Sequence, residues 1–357
     1  MIFINYGSEI IKNTYETLAE SDVGTYLRPG MQVSLKPNLV VPCPARDGAT
    51  THPEVVEGII KYLRDFGISK IKIIESSWVG EHDTALAYKY CGYEELSVKY
   101  DIPLIDLKTD SHAKYEFEGY EISVCDEAMH TDFLINIPVL KAHCQTDLTC
   151  CLKNLKGCIP DSEKRRFHTL GIHKPVAALN GIIKTGYCIV DGICGDLSFE
   201  EGGNPIDSKR IIAGRNPLNI DSYCAELIGY KPEEIGYIRY AHEYGLGELY
   251  STETRLIEIN SADKPTVDMH RDRIAEKYRK MIDEDAACSA CYASLIFALH
   301  RMGSKAKKLG GTLHIGQGYK GKTGKGIGIG VCCRGFEKNI TGCPPKAIDI
   351  LNALGRV

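Results

Sequence analysis

Apolar residues along the first two thirds of the chain alternate between short continuous runs and longer stretches repeating every three to four positions. These are the marks of buried strands and of one-sided helices. Residues 32–35 predict a short strand. After it, Thr51-His52-Pro53-Glu54 offers a capping box with proline in the first turn, and Val55, Val56, Ile59, Ile60 and Leu63 share one helical face ending at Gly67. Residues 71–74 follow as a buried strand, and strand, crossover helix and strand in that order form a right-handed parallel unit. Further strands are predicted at 103–107, 133–139, 187–190 and 210–213, with helices at 82–91, 175–184, 219–229 and 232–244. The pattern is that of an α/β fold, an open and mostly parallel sheet with helices on both faces.

That rhythm breaks around Ser261-Ala262-Asp263-Lys264-Pro265. Beyond it the residues predict a charged helix through Ile282, a helix over 286–302, strands near Thr312 and Ile327, and a last helix from about Pro344. The expected division is an α/β domain at 1–264 and a small C-terminal α/β region at 265–357. No repeat of solenoid period is visible, and one glycine-rich stretch is the only biased tract.

Composition narrows the function classes. Of 357 residues, 43% are hydrophobic and 25% charged, and 43 basic against 47 acidic residues leave a net charge of −4. That lacks the basic footprint of a nucleic-acid binder. The longest largely apolar, uncharged stretch, 286–299, is too short to cross a membrane. The N-terminus has no basic start, apolar middle and cleavage site of a secretory signal. A cytosolic protein is expected, with no nucleic-acid or membrane partner. In that compartment 15 cysteines point to metal or redox chemistry before disulfides. Cys43, Cys91, Cys125, Cys188, Cys194 and Cys224 are read as small hydrophobes of the core.

Four of the remaining cysteines suggest a metal centre. Cys288-Ser289-Ala290-Cys291 sets two thiols on one face of the first turns of a helix. Cys332-Cys333 closes a glycine-rich strand, and Cys343 stands before Pro344-Pro345 at the start of the last helix. A structural zinc site takes such a set, and unligated thiols are a further reading. A [4Fe-4S] cluster is preferred, because only half of the set is a compact knuckle and cysteine followed by proline is a feature of cubane ligation. An anionic cubane also suits the N–H groups that open the last helix, and Lys320, Lys338 and Lys346 lie close in sequence. Cys332 is chosen over Cys333 because Ile327, Ile329 and Val331 share the face of Cys333, leaving Cys332 on the glycine face. The expected ligands are Cys288, Cys291, Cys332 and Cys343, with Lys322, Lys325 and Arg334 as tuners of potential.

Gly316-Gln-Gly-Tyr-Lys-Gly321-Lys322-Thr323 satisfies a phosphate-loop pattern, but the following glycine-rich run cannot start the helix that the motif requires. Nucleotide binding is not expected there. Ligands of an open α/β sheet bind beyond the carboxyl ends of its strands, and the predicted strands end in Lys36-Pro37-Asn38, Glu75-Ser76-Ser77, Lys141-Ala142-His143 and Asp191-Gly192. The segment through Lys153-Asn154 to Lys156-Gly157 carries lysines suited to a carboxylate or phosphate, although a capped amphipathic helix with solvated lysines gives the same pattern. His143, His168 and His173, with Lys141, are candidates for proton transfer or metal binding.

Lys36-Pro-Asn38, Thr51-His-Pro-Glu54, Ile137-Pro-Val-Leu-Lys-Ala-His143, Leu152-Lys-Asn-Leu-Lys-Gly157 and Gly214-Arg-Asn-Pro-Leu-Asn-Ile-Asp221 resemble the family known as domain of unknown function 362, from about residue 30 to about residue 245. The resemblance implies an iron–sulfur protein and marks Lys36, Asn38, Thr51, His52, Lys141, His143, Lys153 and Asn154 as ligand-site residues. Many relatives carry eight closely spaced cysteines, whereas this chain offers a single cluster. The combined expectation is an oxygen-sensitive redox enzyme or electron-transfer protein. Its small anionic ligand is held by these residues together with Glu75 and Asp191, and a ferredoxin-like protein is its electron partner. A non-catalytic sensor with a structural cluster, and a metal-dependent hydrolase or isomerase using the three histidines, are the alternatives.

Overall fold

The chain first lays down β1 (Ile2–Tyr6), β2 (Gln32–Pro37), β3 (Lys70–Glu75) and β4 (Leu104–Asp106). A hairpin of β5 (His112–Phe117) and β6 (Tyr120–Cys125) leads to β7 (Phe133–Ile137), and a tight hairpin of β8 (Lys141–His143) and β9 (Asp147–Thr149) follows. Then come β10 (Tyr187–Asp196), β11 (Pro205–Gly214) and β12 (Leu256–Ile259). In this computed structural model, which describes residues 1–78, 84–270 and 273–355, eight of these strands form one sheet in the order β12-β1-β11-β10-β7-β2-β3-β4. β10, β7, β2, β3 and β4 run parallel. β11 reverses against both β10 and β1, because a short loop and not a crossover helix joins it to β10.

Both faces of the sheet are buried, as a parallel sheet requires. Period-two alternation sends Ile2, Ile4 and Tyr6 to one face, where the helices His173–Ile182, Pro217–Leu227 and Gly236–Glu243 cover them. Phe3, Val33 and Leu35 face the other way, under the helices Ile10–Glu20 and Pro53–Asp65. The anticipated capping box does not form. His52 precedes the helix, and the Thr51 hydroxyl instead accepts from Asn38 N (2.8 Å) and donates to Ile137 O (2.8 Å), tying two strand ends together. The start of the helix predicted at 82–91 lies outside the described residues; Thr84–Tyr90 is helical.

A second sheet holds β13 (Ile282–Glu284), β14 (Leu313–Ile315), β15 (Thr323–Ile329) and β16 (Gly335–Ile340), all parallel and in chain order. The helices Ser289–Met302 and Ala347–Leu354 pack on it around Leu295, Ile296, Leu299, Ile329 and Ile350. Where a charged helix was expected up to Ile282, the chain makes two single turns, Ala275–Lys277 and Arg279–Met281, before β13. Its charges leave no continuous apolar stripe for a helix to bury. The phosphate-loop look-alike passes through the turn Gln317–Tyr319 directly into β15. Among the described residues, no helix is long and apolar enough to cross a membrane.

Candidate functional site

β2 and β3 end side by side at a cavity of about 180 Å³. Lys36 and Glu75, one from each strand, form a buried ion pair of 2.8 Å. The Glu75 carboxylate also accepts Leu39 N (3.0 Å) and Ser76 N (2.7 Å), so its charge is fully used. Gly157 packs directly on this pair, where a Cβ would collide with Glu75 Oε1 and Lys36 Nζ. Asn154, from the helix Cys151–Asn154, donates to Asn136 Oδ1 (2.8 Å) and accepts from Asn38 Nδ2 (2.9 Å). Lys141 Nζ in turn donates to Asn38 Oδ1 (3.2 Å) and Ala49 O (2.5 Å). Three strand ends are thereby locked to the segment that follows β9.

The hairpin after β7 brings His143 to the same cavity. Its Nδ1 accepts from Gln145 N (3.1 Å) and Thr146 N (3.3 Å), which leaves the proton on Nε2, 3.6 Å from Glu200 Oε1. Burial, then the positive charge of Lys153 and Lys156, holds His143 well below the usual histidine range. Glu200, 5% exposed, accepts Cys144 N on Oε2, and its buried Oε1 has no hydrogen-bond partner among the described residues. It was not foreseen from the sequence, where only its place in the loop after a strand could have marked it.

Lysines dominate the remaining wall. Burial pushes Lys141 and Lys156 down to about 8, and drives Lys153 well below the usual ammonium range with Lys156 adding to the effect. Lys153 Nζ donates to Thr149 Oγ1 (3.0 Å), and Lys164, also unforeseen, donates to Ser76 Oγ (2.6 Å) and Ser77 O (2.9 Å). His168 lines the cavity and is likewise held low, by burial and then by Lys156. An enclosed excess of ammonium groups is a site for an anion.

Thr51, His52, Asp191 and His173 do not line this cavity. His52 Nδ1 pairs with Asp191 Oδ2 at 2.8 Å. Burial opposes the charge on His52, but the Asp191 carboxylate outweighs it and lifts the imidazole to about 11. His173 stacks on the Tyr237 ring with centroids 6.3 Å apart, its Nδ1 buried without a partner, and burial pushes it down to about 4.

Cys288, Cys291, Cys332 and Cys343 line the same cavity. Cys288 precedes the helix Ser289–Met302 and Cys291 lies in its first turn. Cys332 and Cys333 do not close a strand. β15 ends at Ile329, Gly330 turns the chain with φ +85°, and both cysteines sit in the turn Val331–Cys333, Cys333 packed in the core and Cys332 half-buried. Cys343 stands outside the last helix, which starts at Ala347, with Pro344, Pro345 and the N-cap Lys346 between them. Cys288, Cys291 and Cys332 each feel a neighbouring thiol. Burial first, then Cys288, Cys343 and Cys332, pushes Cys291 far up. Lys156 and Arg165 act on Cys288, while Lys320 and Arg334 act on Cys332. Lys322, expected beside this group, is engaged by Asp285 at 3.3 Å.

The spacing of the four is informative. Among the described residues, the one set of three thiol, imidazole or carboxylate donors lying within 4.8 Å of one another is Cys150, Cys151 and Asp221. The C-terminal sulfurs are therefore more widely set than on a single tetrahedral ion, where thiolates stand ~3.8 Å apart. Gly330, with no side chain, opens onto Cys291 Sγ, and glycine also occupies position 342 at φ +144°. Four thiols on three separate elements around one cavity, with glycines between them, fit a group larger than one ion.

Comparison with known proteins gives three findings. The profile of the family "Domain of unknown function (DUF362)" matches residues 33–226, more than half of the chain. A thylakoid-associated protein of Synechocystis sp. is 30% identical over 146 residues, which cover 41% of this chain and 44% of that protein, so the chain spans less than half the length of this curated relative. The lactate racemase apoprotein of Thermoanaerobacterium thermosaccharolyticum superposes with a TM-score of 0.44 at 11% identity, over 63% of this chain and 57% of that one.

Proposed function

The chain belongs to the family Domain of unknown function (DUF362), and from that premise we propose that it is an iron–sulfur oxidoreductase acting on a small anionic molecule. The ligand sits between two walls: the lysines at the carboxyl ends of the sheet, and a [4Fe-4S] cluster held by Cys288, Cys291, Cys332 and Cys343. One observation carries the reading: both groups of residues line one cavity. The wide spacing of the thiols supports a polynuclear centre over zinc. Such a cluster supplies one-electron transfer when bound.

The remaining work falls to the chain's own groups. Lys141, Lys153 and Lys156 bind and orient the anion, and their buried charges strengthen when it arrives. His143 Nε2–H, with Nδ1 filled by two backbone N–H groups, donates a hydrogen bond to the bound molecule, and the Glu200 carboxylate 3.6 Å away keeps the imidazole in place. Lys36, Asn38, Glu75 and Asn154 hold this constellation rigid. Cys343 is exposed and gives a ferredoxin-like donor its approach.

Electron paramagnetic resonance of the anaerobically reduced protein, titrated with sulfate as the probe anion, tests the shared cavity. Sulfate is expected to shift the cluster signal, and Lys156→Gln to weaken its binding roughly tenfold or more, since a charge-assisted hydrogen bond contributes ~1.5–3 kcal/mol. A signal unmoved while calorimetry shows sulfate bound contradicts the reading.

A further inference from the structure

A tight set of thiol and carboxylate donors lies in a different part of the molecule. Cys150 follows β9, Cys151 opens the helix Cys151–Asn154, and Asp221 lies in the helix Pro217–Leu227 one turn before Cys224. All four are fully buried in the core beneath the large sheet, and none lines the cavity. The sulfurs of Cys150 and Cys151 are 3.9 Å apart, which matches the ~3.8 Å separation of two thiolates on one tetrahedral ion. Asp221 accepts Cys151 N (2.7 Å) on one oxygen and Leu152 N (3.0 Å) on the other. Each oxygen keeps a second lone pair, and the two N–H bonds fix the carboxylate's orientation as outer partners do for metal-ligating carboxylates.

Capping accounts for Asp221 but not for the convergence of thiols on it. Cys224 lies beside Cys150, and Cys188 beside Cys151. Among the described residues no lysine, arginine or histidine hydrogen-bonds to any of these groups. A dry core holding several potential anions and no cation in contact is stable when the thiols stay protonated or when a bound cation offsets their charge.

We propose that Cys150, Cys151, Cys224 and Asp221 form a closed structural site for a single zinc ion, independent of the C-terminal cysteines. Cys224 completes the tetrahedron by a change of its side-chain rotamer. Binding converts three thiols to thiolates and releases their three protons to solvent, with no change of oxidation state. The site joins β9 and its following helix to the helix Pro217–Leu227, behind the segment that carries Lys153 and Asn154.

Metal content of the full-length chain, folded with zinc and iron supplied, tests this. We expect one zinc per chain in the unaltered protein and in Cys343→Ala alike, and at least a tenfold loss of zinc affinity in Cys224→Ser. Should Cys224→Ser fail to fold, cobalt substitution of the unaltered chain decides, with thiolate-to-cobalt charge-transfer bands expected and persisting in Cys343→Ala. Absence of zinc, zinc that disappears with Cys343→Ala, or cobalt without thiolate bands overturns the proposal. Loss of iron in Cys343→Ala with zinc retained separates this site from the iron–sulfur reading.

Discussion

Lys141 condenses the electrostatics of the cavity into one side chain. Its buried ammonium bonds, among the described residues, to the neutral oxygens of Asn38 and Ala49, and burial brings it down from 10.5 to about 8. The sign of the consequence is fixed by linkage. The unfolded chain keeps this proton up to about 10.5 and the folded chain releases it near 8, so the stability contributed by Lys141 rises as pH climbs between those values. Anion binding needs the charge and follows the opposite course. Calorimetry with sulfate, whose charge is constant over this range, is predicted to show affinity falling about tenfold from pH 7 to pH 9 for one required proton. Equal affinity at both values contradicts a role for Lys141 in binding. Lys141 and His143 were legible in the sequence because strand ends are where an open sheet binds ligands. Glu200 was not, since a loop joining antiparallel strands has no periodicity to mark it. Lys164 was hidden in a helix whose overall polarity reads as solvated, although its ammonium turns inward to Ser76 and Ser77.

At the scale of elements, the helix Ser289–Met302 links folding to the proposed metal centre, because the thiols of Cys288 and Cys291 sit at its start while Leu295, Ile296 and Leu299 anchor it in the C-terminal core. Leu295→Ala is predicted to cost about 2–5 kcal/mol in urea unfolding and to weaken retention of the bound metal, with iron content as the readout. Unchanged stability and iron content contradict that coupling. The predicted strands at 32–35 and 71–74 appear with their ends extended into Lys36 and Glu75, and the polar residues inside them, Ser34 and Lys72, are buried with the apolar ones. The turns at Ala275–Lys277 and Arg279–Met281 replaced an expected helix, because charge density alone imitates a solvated helix without supplying a face to pack. Thr51 shows the same limit in reverse: a capping pattern was present, but the hydroxyl found stronger use between Asn38 and Ile137.

In the whole molecule the large sheet, with a core on each face, meets the C-terminal core across the cavity. Gln145, after β8, donates to Glu284 Oε1 (3.1 Å) and Ala287 O (3.0 Å) and accepts from Ser289 Oγ (2.8 Å), while Gln317 donates to Arg165 O (3.2 Å). Cys144 and Phe199 reach into the C-terminal core. The sequence set a cluster beside a ligand site in the large domain, but it could not show the contacts that close the space between them. The account stands on the identity of what the four C-terminal thiols hold. Iron and acid-labile sulfide, measured on the anaerobically prepared chain and its Cys291→Ala variant, test it most directly. About four of each per chain, attributable to a cubane and lost in the variant, is the predicted result; iron and sulfide undiminished in Cys291→Ala would contradict it.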